Sequence, residues 1–323
     1  MQPLLALAGT LCPFGQAEDL VQRLTGLPVS DSTCRRLTES AGQVLTAQYQ
    51  QHQAVVGPPV PAWDFSLPPQ EGQHFPGTVA YLGLDAFAVP TRPAQGGGID
   101  WRMLYGGLLY DPRKEHTIYV SDYDFERVAA VLRRYAIQYE LGQAETLVAL
   151  TDGGHGLERV LRQAFSENLV FVLDYYHPAE RLHTFGGLLH NQDPGAATAW
   201  AAQAKRVLWE EGGGGLLAWL RGVSLPRRGA AALREELRVL VGYVEANVHR
   251  MAYPEYRARG WDVGSGPTEA GCKVLGGRVK GTGMRWCVAA SEQVAALRAL
   301  YASGEGLWDA FWEQRRWKPY LTK

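Results

Sequence analysis

Residues 78–89 read TVAYLGLDAFAV, a nearly continuous apolar run broken by one acid, Asp85. Its length and composition predict a buried strand ending near Asp85. A lone carboxylate beside so apolar a strand costs several kcal/mol to bury unless something compensates it. Backbone N–H groups or an arginine could do so. A divalent cation does it better, because hard Mg2+ prefers carboxylate oxygens and open water positions. Helix capping, the usual reason for an acid after a strand, fails here: AFAVP follows and no helix begins.

Working outward, WRMLYGGLLYD (101–111) and EHTIYVSD (115–122) read as two more strands, and YDFERVAAVLRRYAIQYELG (123–142) as an amphipathic helix. AETLVALTDGG (144–154) is a fourth strand, HGLERVLRQAF (155–165) a helix, and NLVFVLDYYH (168–177) a fifth strand. Asp122 and Asp124 read as caps of the helix that follows them, and capping explains Asp152 equally well. The order predicts an α/β fold with a mixed five-stranded sheet, and it is also the order of the ribonuclease H fold. In that fold the sheet runs 3-2-1-4-5. Asp85 and Asp152 are then neighbours at the carboxyl edge, with Asp174 farther out. From about 178 to 260 the chain reads as an α-helical insertion, with breaks at EEGGGG and VSLPRRG.

Residues 264–286, GSGPTEAGCKVLGGRVKGTGMRW, read as a short helix that tolerates two interior glycines, each costing roughly 1 kcal/mol relative to Ala. Cys272, Leu275 and Val279 make an apolar stripe that suits packing on a sheet. Glu269, Lys273, Gly276 and Lys280 make a second line, with Gly277 beside it. An ordinary Glu269–Lys273 helix pair accounts for the charges, at a few tenths of a kcal/mol, but leaves Gly276 and Gly277 unexplained. A face laid against a sugar-phosphate backbone explains them. Missing side chains permit the approach, and Lys273, Arg278, Lys280 and Arg285 neutralise the phosphates.

Residues 1–50 form a helical segment. QAEDLVQRL and DSTCRRLTESAGQVLTAQYQQ flank the turn TGLPVS in helix-turn-helix spacing. Ser30 or Asp31 caps the second helix, which presents Ser32, Thr33, Arg35 and Arg36. A plain packing hairpin has the same pattern. Residues 51–77, with six prolines, read as a semi-rigid connector, and residues 78–323 as the domain that carries the acids. Formal net charge is −1, which by itself gives no reason to expect nucleic acid, yet Arg250–Lys323 holds 12 Lys or Arg against 7 Asp or Glu. Four cysteines without a C-x-x-C pair exclude a zinc knuckle or disulfide framework and predict a reducing, cytoplasmic setting. No apolar run approaches a membrane span.

The chain resembles bacterial insertion-sequence transposases of the ISKra type, distant relatives of Mutator-like DDE transposases. The resemblance covers nearly the whole chain and rests on LGLDAFAVP, TDGGHGLERVLRQAF, VLDYYHPAERL and, above all, GWDVGSGPTEAGCKVLGGRVKGTGMRWCVAASEQVAALRAL. It implies that Asp85, Asp152 and Glu269 are the catalytic triad and hold two Mg2+ or Mn2+ ions. Asp174 and His177 match a D-x-x-H element and are expected to support the site. The implied activity is metal-dependent cleavage and strand transfer of DNA. The partners are the element's terminal inverted repeats and target DNA, bound by a homo-oligomer at the nucleoid. Family members often have more sequence ahead of the helix-turn-helix-like segment, a departure that bears on end recognition. Two other readings stay open: an inactive DNA-binding remnant, and a nuclease or resolvase on the same fold. His177 with Asp174 and His183 lacks a fourth metal ligand. Trp261, Trp286 and Tyr175 could stack on bases, with core packing the default.

Overall fold

A computed structural model describes residues 1–51, 79–94, 96–138, 144–154, 156–165, 169–190, 193–225, 230–304 and 306–313. The proline-rich stretch expected as a connector lies, from residue 52 on, outside the described residues. The fold is α/β, with five strands in one mixed sheet ordered β3-β2-β1-β4-β5: β1 Val79–Thr91, β2 Asp100–Tyr110, β3 Thr117–Asp122, β4 Thr146–Thr151 and β5 Val170–Leu173. Contacts divide the chain into two compact units. The first comprises Met1–Leu147, Arg159–Asn168 and Pro267–Lys323; the second comprises Val148–Glu158 and Leu169–Gly266.

In the first unit β1 and β2 pair antiparallel from Tyr81↔Tyr110 to Thr91↔Asp100. β1 runs on past Asp85 to Thr91, so the acid stands in mid-strand rather than at the strand's end as expected. AFAVP continues the alternation: Phe87 and Val89 are buried on the same face as Asp85. Beneath that face lies a core of Phe87, Val89, Leu104, Cys272, Leu275, Val279 and Trp286 with Val294 and Ala295, each large side chain contributing about 1.5–3 kcal/mol. It is supplied by α10 (Gly266–Val279) and α11 (Val288–Ala302), the latter not read from the sequence. The opposite face is covered by α4 (Phe125–Gln138), whose Val128 and Leu132 fill the space above Gly107.

Helices α1 (Gln2–Leu11), α2 (Phe14–Thr25) and α3 (Asp31–Gln51) form the N-terminal segment. The turn after α2 is closed by Gly26 in the left-handed conformation (φ 71°), where a side chain would be strained. Ser30 starts α3 by accepting from the Thr33 N–H at 3.3 Å. α1 went unread, although its proline at the first turn is a start signal. The segment belongs to the first unit. Gly42 explains why: a Cβ there would lie 2.5 Å from the Gln293 carbonyl oxygen, so its absence lets α3 press directly on α11.

The second unit holds the helices expected as an insertion: α6 (Tyr176–Leu189), α7 (Pro194–Arg221), α8 (Ala231–Asn247) and α9 (Tyr253–Ala258). The break expected at EEGGGG is there: Gly212 leaves the helical region (φ 70°, ψ −166°), so α7 is two helical stretches meeting at a kink, and a side chain at Gly212 would also meet the Met251 carbonyl at 2.8 Å. The break expected at VSLPRRG begins as expected: α7 ends at Arg221 and residues 223–225 are not helical, while 226–229 lie outside the described residues. α5 (Leu157–Ala164) carries residues of both units. Among the described residues no helix is long and apolar enough to cross a membrane.

Candidate active site

Asp85 and Glu269 belong to the first unit. Glycines set the geometry. A Cβ at Gly83 would fall 1.8 Å from the Thr268 hydroxyl oxygen, and one at Gly271 would fall 2.8 Å from Leu108. Thr268 and Cys272 of α10 thus pack into places that Gly83 and Gly106 leave open on β1 and β2, and Leu108 of β2 into the place left open by Gly271. Opposite Asp85 across the ladder stands Gly106, whose missing Cβ would lie 3.0 Å from the Cys272 sulfur. That gap seats Cys272 beside Asp85. Burial, the Asp85 charge, a hydrogen bond to Asp85 and the Glu269 charge push the Cys272 thiol up to about 12, against a lowering pull from Lys280. Both acids are thus felt at one sulfur. Asp85 also accepts the Ala86 N–H at 2.7 Å. Glu269 is half exposed and pairs loosely with Lys273 at 3.9 Å, the ordinary helix pair the sequence allowed.

Asp152, Asp174 and His177 belong to the second unit. Asp152 directly follows β4 and accepts the Gly154 N–H at 2.8 Å, closing a turn in which Gly153 has φ 87°. A Cβ on Gly153 would approach Leu173, Arg250 and Asn247. Arg250 is itself buried, donates from Nε to Asn247 at 2.9 Å and lies 3.9 Å from Glu158. Asp174 directly follows β5 and is buried, accepting the Ser265 hydroxyl and the Tyr176 N–H (2.9 Å). His177, part-exposed, stands 3.9 Å from it. The Asp174 carboxylate thus ties the loop after β5 to Ser265, just ahead of α10. Arg250 and Ser265 escaped the sequence reading because nothing in their spacing marks them.

The expected phosphate contacts divide. Lys273, Lys280 and Arg285 are exposed, as are Arg35 and Arg36 on α3. Ser32, Thr33, Arg35, Arg36, Glu39 and Gln293 line an open groove of about 530 Å³. Arg278 requires a correction: it is 3% exposed, its Nε donates to the Gly9 carbonyl at 2.9 Å, and its guanidinium lies over Phe14 (4.8 Å) and Trp286 (5.1 Å). Burial holds it down at about 10, and it anchors α1 rather than facing solvent. Arg278→Ala is expected to cost about 2–4 kcal/mol in urea unfolding. An unchanged urea midpoint would show that this arginine does not hold α1 in place. Gly276 is corrected too. It is buried, with Phe87 and the Lys280 stem around it, and only Gly277 opens to solvent. Trp261, Trp286 and Tyr175 are packed against other side chains.

One acid read as a plain cap does more. Asp124 caps α4 through the Glu126 N–H (2.9 Å). Asp122 is fully buried and takes both its oxygens to Arg127 at 2.9 and 3.0 Å, with Glu292 3.7 Å from the same guanidinium. Burial and the Asp122 charge raise the Glu292 carboxyl to about 7. The folded state therefore prefers it protonated. The stability it contributes is complete below its ordinary value of 4.5 and is lost as pH rises through about 7. Glu292→Gln is expected to flatten the fall in urea midpoint between these pH values and to exceed wild type at pH 8. An unchanged slope would refute the assignment.

Among the described residues no three His, Cys, Asp or Glu side chains come together as a ready metal site. Asp85, Asp152 and Glu269 offer carboxylate oxygens, which suit a hard cation in kind. No family model matches the chain, and no curated protein matches it.

Proposed function

We propose that this protein is a DNA transposase of the insertion-sequence type, with a ribonuclease H-like fold, that cleaves DNA strands and joins them to a target. Asp85, Asp152 and Glu269 would hold two divalent ions. When bound, these supply activation of a water or 3′-hydroxyl and stabilisation of the leaving oxygen. The chain's own side chains then position the DNA. Lys273, Lys280 and Arg285 neutralise phosphates beside Glu269, and Arg35 and Arg36 on α3 contact DNA at a second place. Asp174 and His177 order the loop after β5.

The observation that supports the reading is the packing of α10 on the Asp85 face of β1 and β2: Cys272, one helical turn from Glu269, sits against Gly106, the residue opposite Asp85 in the ladder. The strand order 3-2-1-4-5 also supports it. The test is incubation of the full chain with DNA flanking its own reading frame, intact and pre-nicked, with Mg2+ or Mn2+. Cleavage and joining that chelation stops bear the proposal out. Cleavage without joining indicates a nuclease or resolvase. A DNA shift with neither Mn2+ binding nor cutting indicates an inactive remnant.

A further inference from the structure

We infer that the outer end of β2 is the pairing edge of a two-fold dimer, in which residues 99–103 lie antiparallel to the same residues of a second copy. The inference stands on the β1–β2 ribbon alone and does not depend on the proposed activity.

Pro90, opposite Trp101, has no N–H and accepts the Trp286 N–H at 3.1 Å on the side away from β2. The Pro90↔Trp101 pair is therefore one that exchanges no hydrogen bonds. Trp101 must turn both its N–H and its C=O outward, and Ile99 and Met103 do the same two residues on either side. β3 covers this outer edge only from Tyr105 onward, where it pairs with Asp122. Among the described residues no strand pairs with the edge between 99 and 104. Three apolar side chains stand on one face of this open stretch: Ile99 is 44% exposed, Trp101 59% and Met103 49%. A bare edge with an apolar face is what soluble proteins ordinarily avoid.

The sequence around the edge is self-complementary. With the two-fold axis at Trp101, that residue meets its own copy, Ile99 meets Met103 on the apolar face, and Asp100 meets Arg102 on the other. Asp100 and Arg102 already pair within one chain at 2.9 Å, both side chains about half exposed. Across the axis each gains a second opposite charge. Moving the axis to Asp100 or to Arg102 sets like charges against each other, which is destabilising in a ladder. Among these neighbouring registers the charge pattern favours the one centred on Trp101. The buried area of so short an edge suits a weak, concentration-dependent dimer.

Sedimentation of the full chain over a range of concentrations tests this. Wild type is expected to associate reversibly. Arg102→Asp and Asp100→Arg should each raise the dissociation constant at least about tenfold, and the double exchange D100R/R102D should restore it, which also controls for misfolding. In a Cys287→Ser background, Trp101→Cys should form a disulfide-linked dimer without added reductant. Wild type monomeric at every concentration, a dimer indifferent to the charge exchanges, or no cross-link at position 101 would each overturn the inference. So would a monomer whose retention on single-stranded DNA falls on Trp101→Ala, since the edge would then serve nucleic acid.

Discussion

Asp85→Asn is expected to lose strand cleavage and joining by at least about a thousandfold. That corresponds to about 4 kcal/mol of transition-state stabilisation, in keeping with removing one ligand oxygen from a shared metal pair. The substitution is nearly isosteric. The side-chain oxygen can still accept the Ala86 N–H. Urea unfolding should shift by less than about 1 kcal/mol, and retention on end DNA should stay within about twofold. The Cys272 thiol supplies a readout independent of activity. Its resistance to ionisation owes part to the Asp85 charge, so Asp85→Asn should raise its reactivity toward a small thiol reagent at high pH. Retained strand transfer would sink the site assignment. An unmoved thiol with lost activity would sink the geometry instead. Asp152→Asn and Glu269→Gln are expected to match Asp85→Asn in activity, and only Glu269→Gln should touch the thiol.

Gly83→Ala is expected to destabilise the fold by about 1–3 kcal/mol, as overpacking does. The new methyl would lie 1.8 Å from the Thr268 oxygen and 2.9 Å from its Cβ. α10 would have to lift from β1, carrying Glu269 with it. Activity per folded molecule should fall as well, which a purely structural defect elsewhere would not produce. Thr268→Ala in the same chain removes the oxygen and the methyl that clash, leaving a Cβ a few tenths of an ångström too near. The double variant should be more stable than the single-site costs sum to, because the two positions touch. Strict additivity in urea unfolding would show that the contact does not hold the helix down.

The strands and most helices were legible because their periodicity is strong. The run of apolar residues gave β1, and the acids after LVALT and VFVL were read directly as following β4 and β5. Where β1 ends was not legible: AFAVP keeps the two-residue alternation through Asp85, and a charge in mid-strand resembles a strand end when its neighbours are unknown. The glycines of α10 were noticed for the right reason and partly given the wrong partner. A missing side chain admits whatever comes close, and sequence does not say whether that is a phosphate or, as at Gly271 and Gly276, Leu108 and Phe87. Arg278 shows the same ambiguity for charge. A guanidinium capped by a carbonyl and two rings reads, in sequence, like any basic residue on a helix. Cys272 could have been flagged by its place on the apolar stripe facing Asp85, but its coupling to two acids needs the fold.

The contact at Gly42 changes what the N-terminal helices are for. With α3 seated on the backbone of α11, the exposed arginines of α3 belong to the same compact unit as Asp85 and Glu269. A tethered reader tolerates variable spacing between the sequence it grips and the bond it breaks. On the proposed function, helices seated on the body in this way would act as a ruler, the distance from recognition to reaction being built into the protein rather than left to a linker.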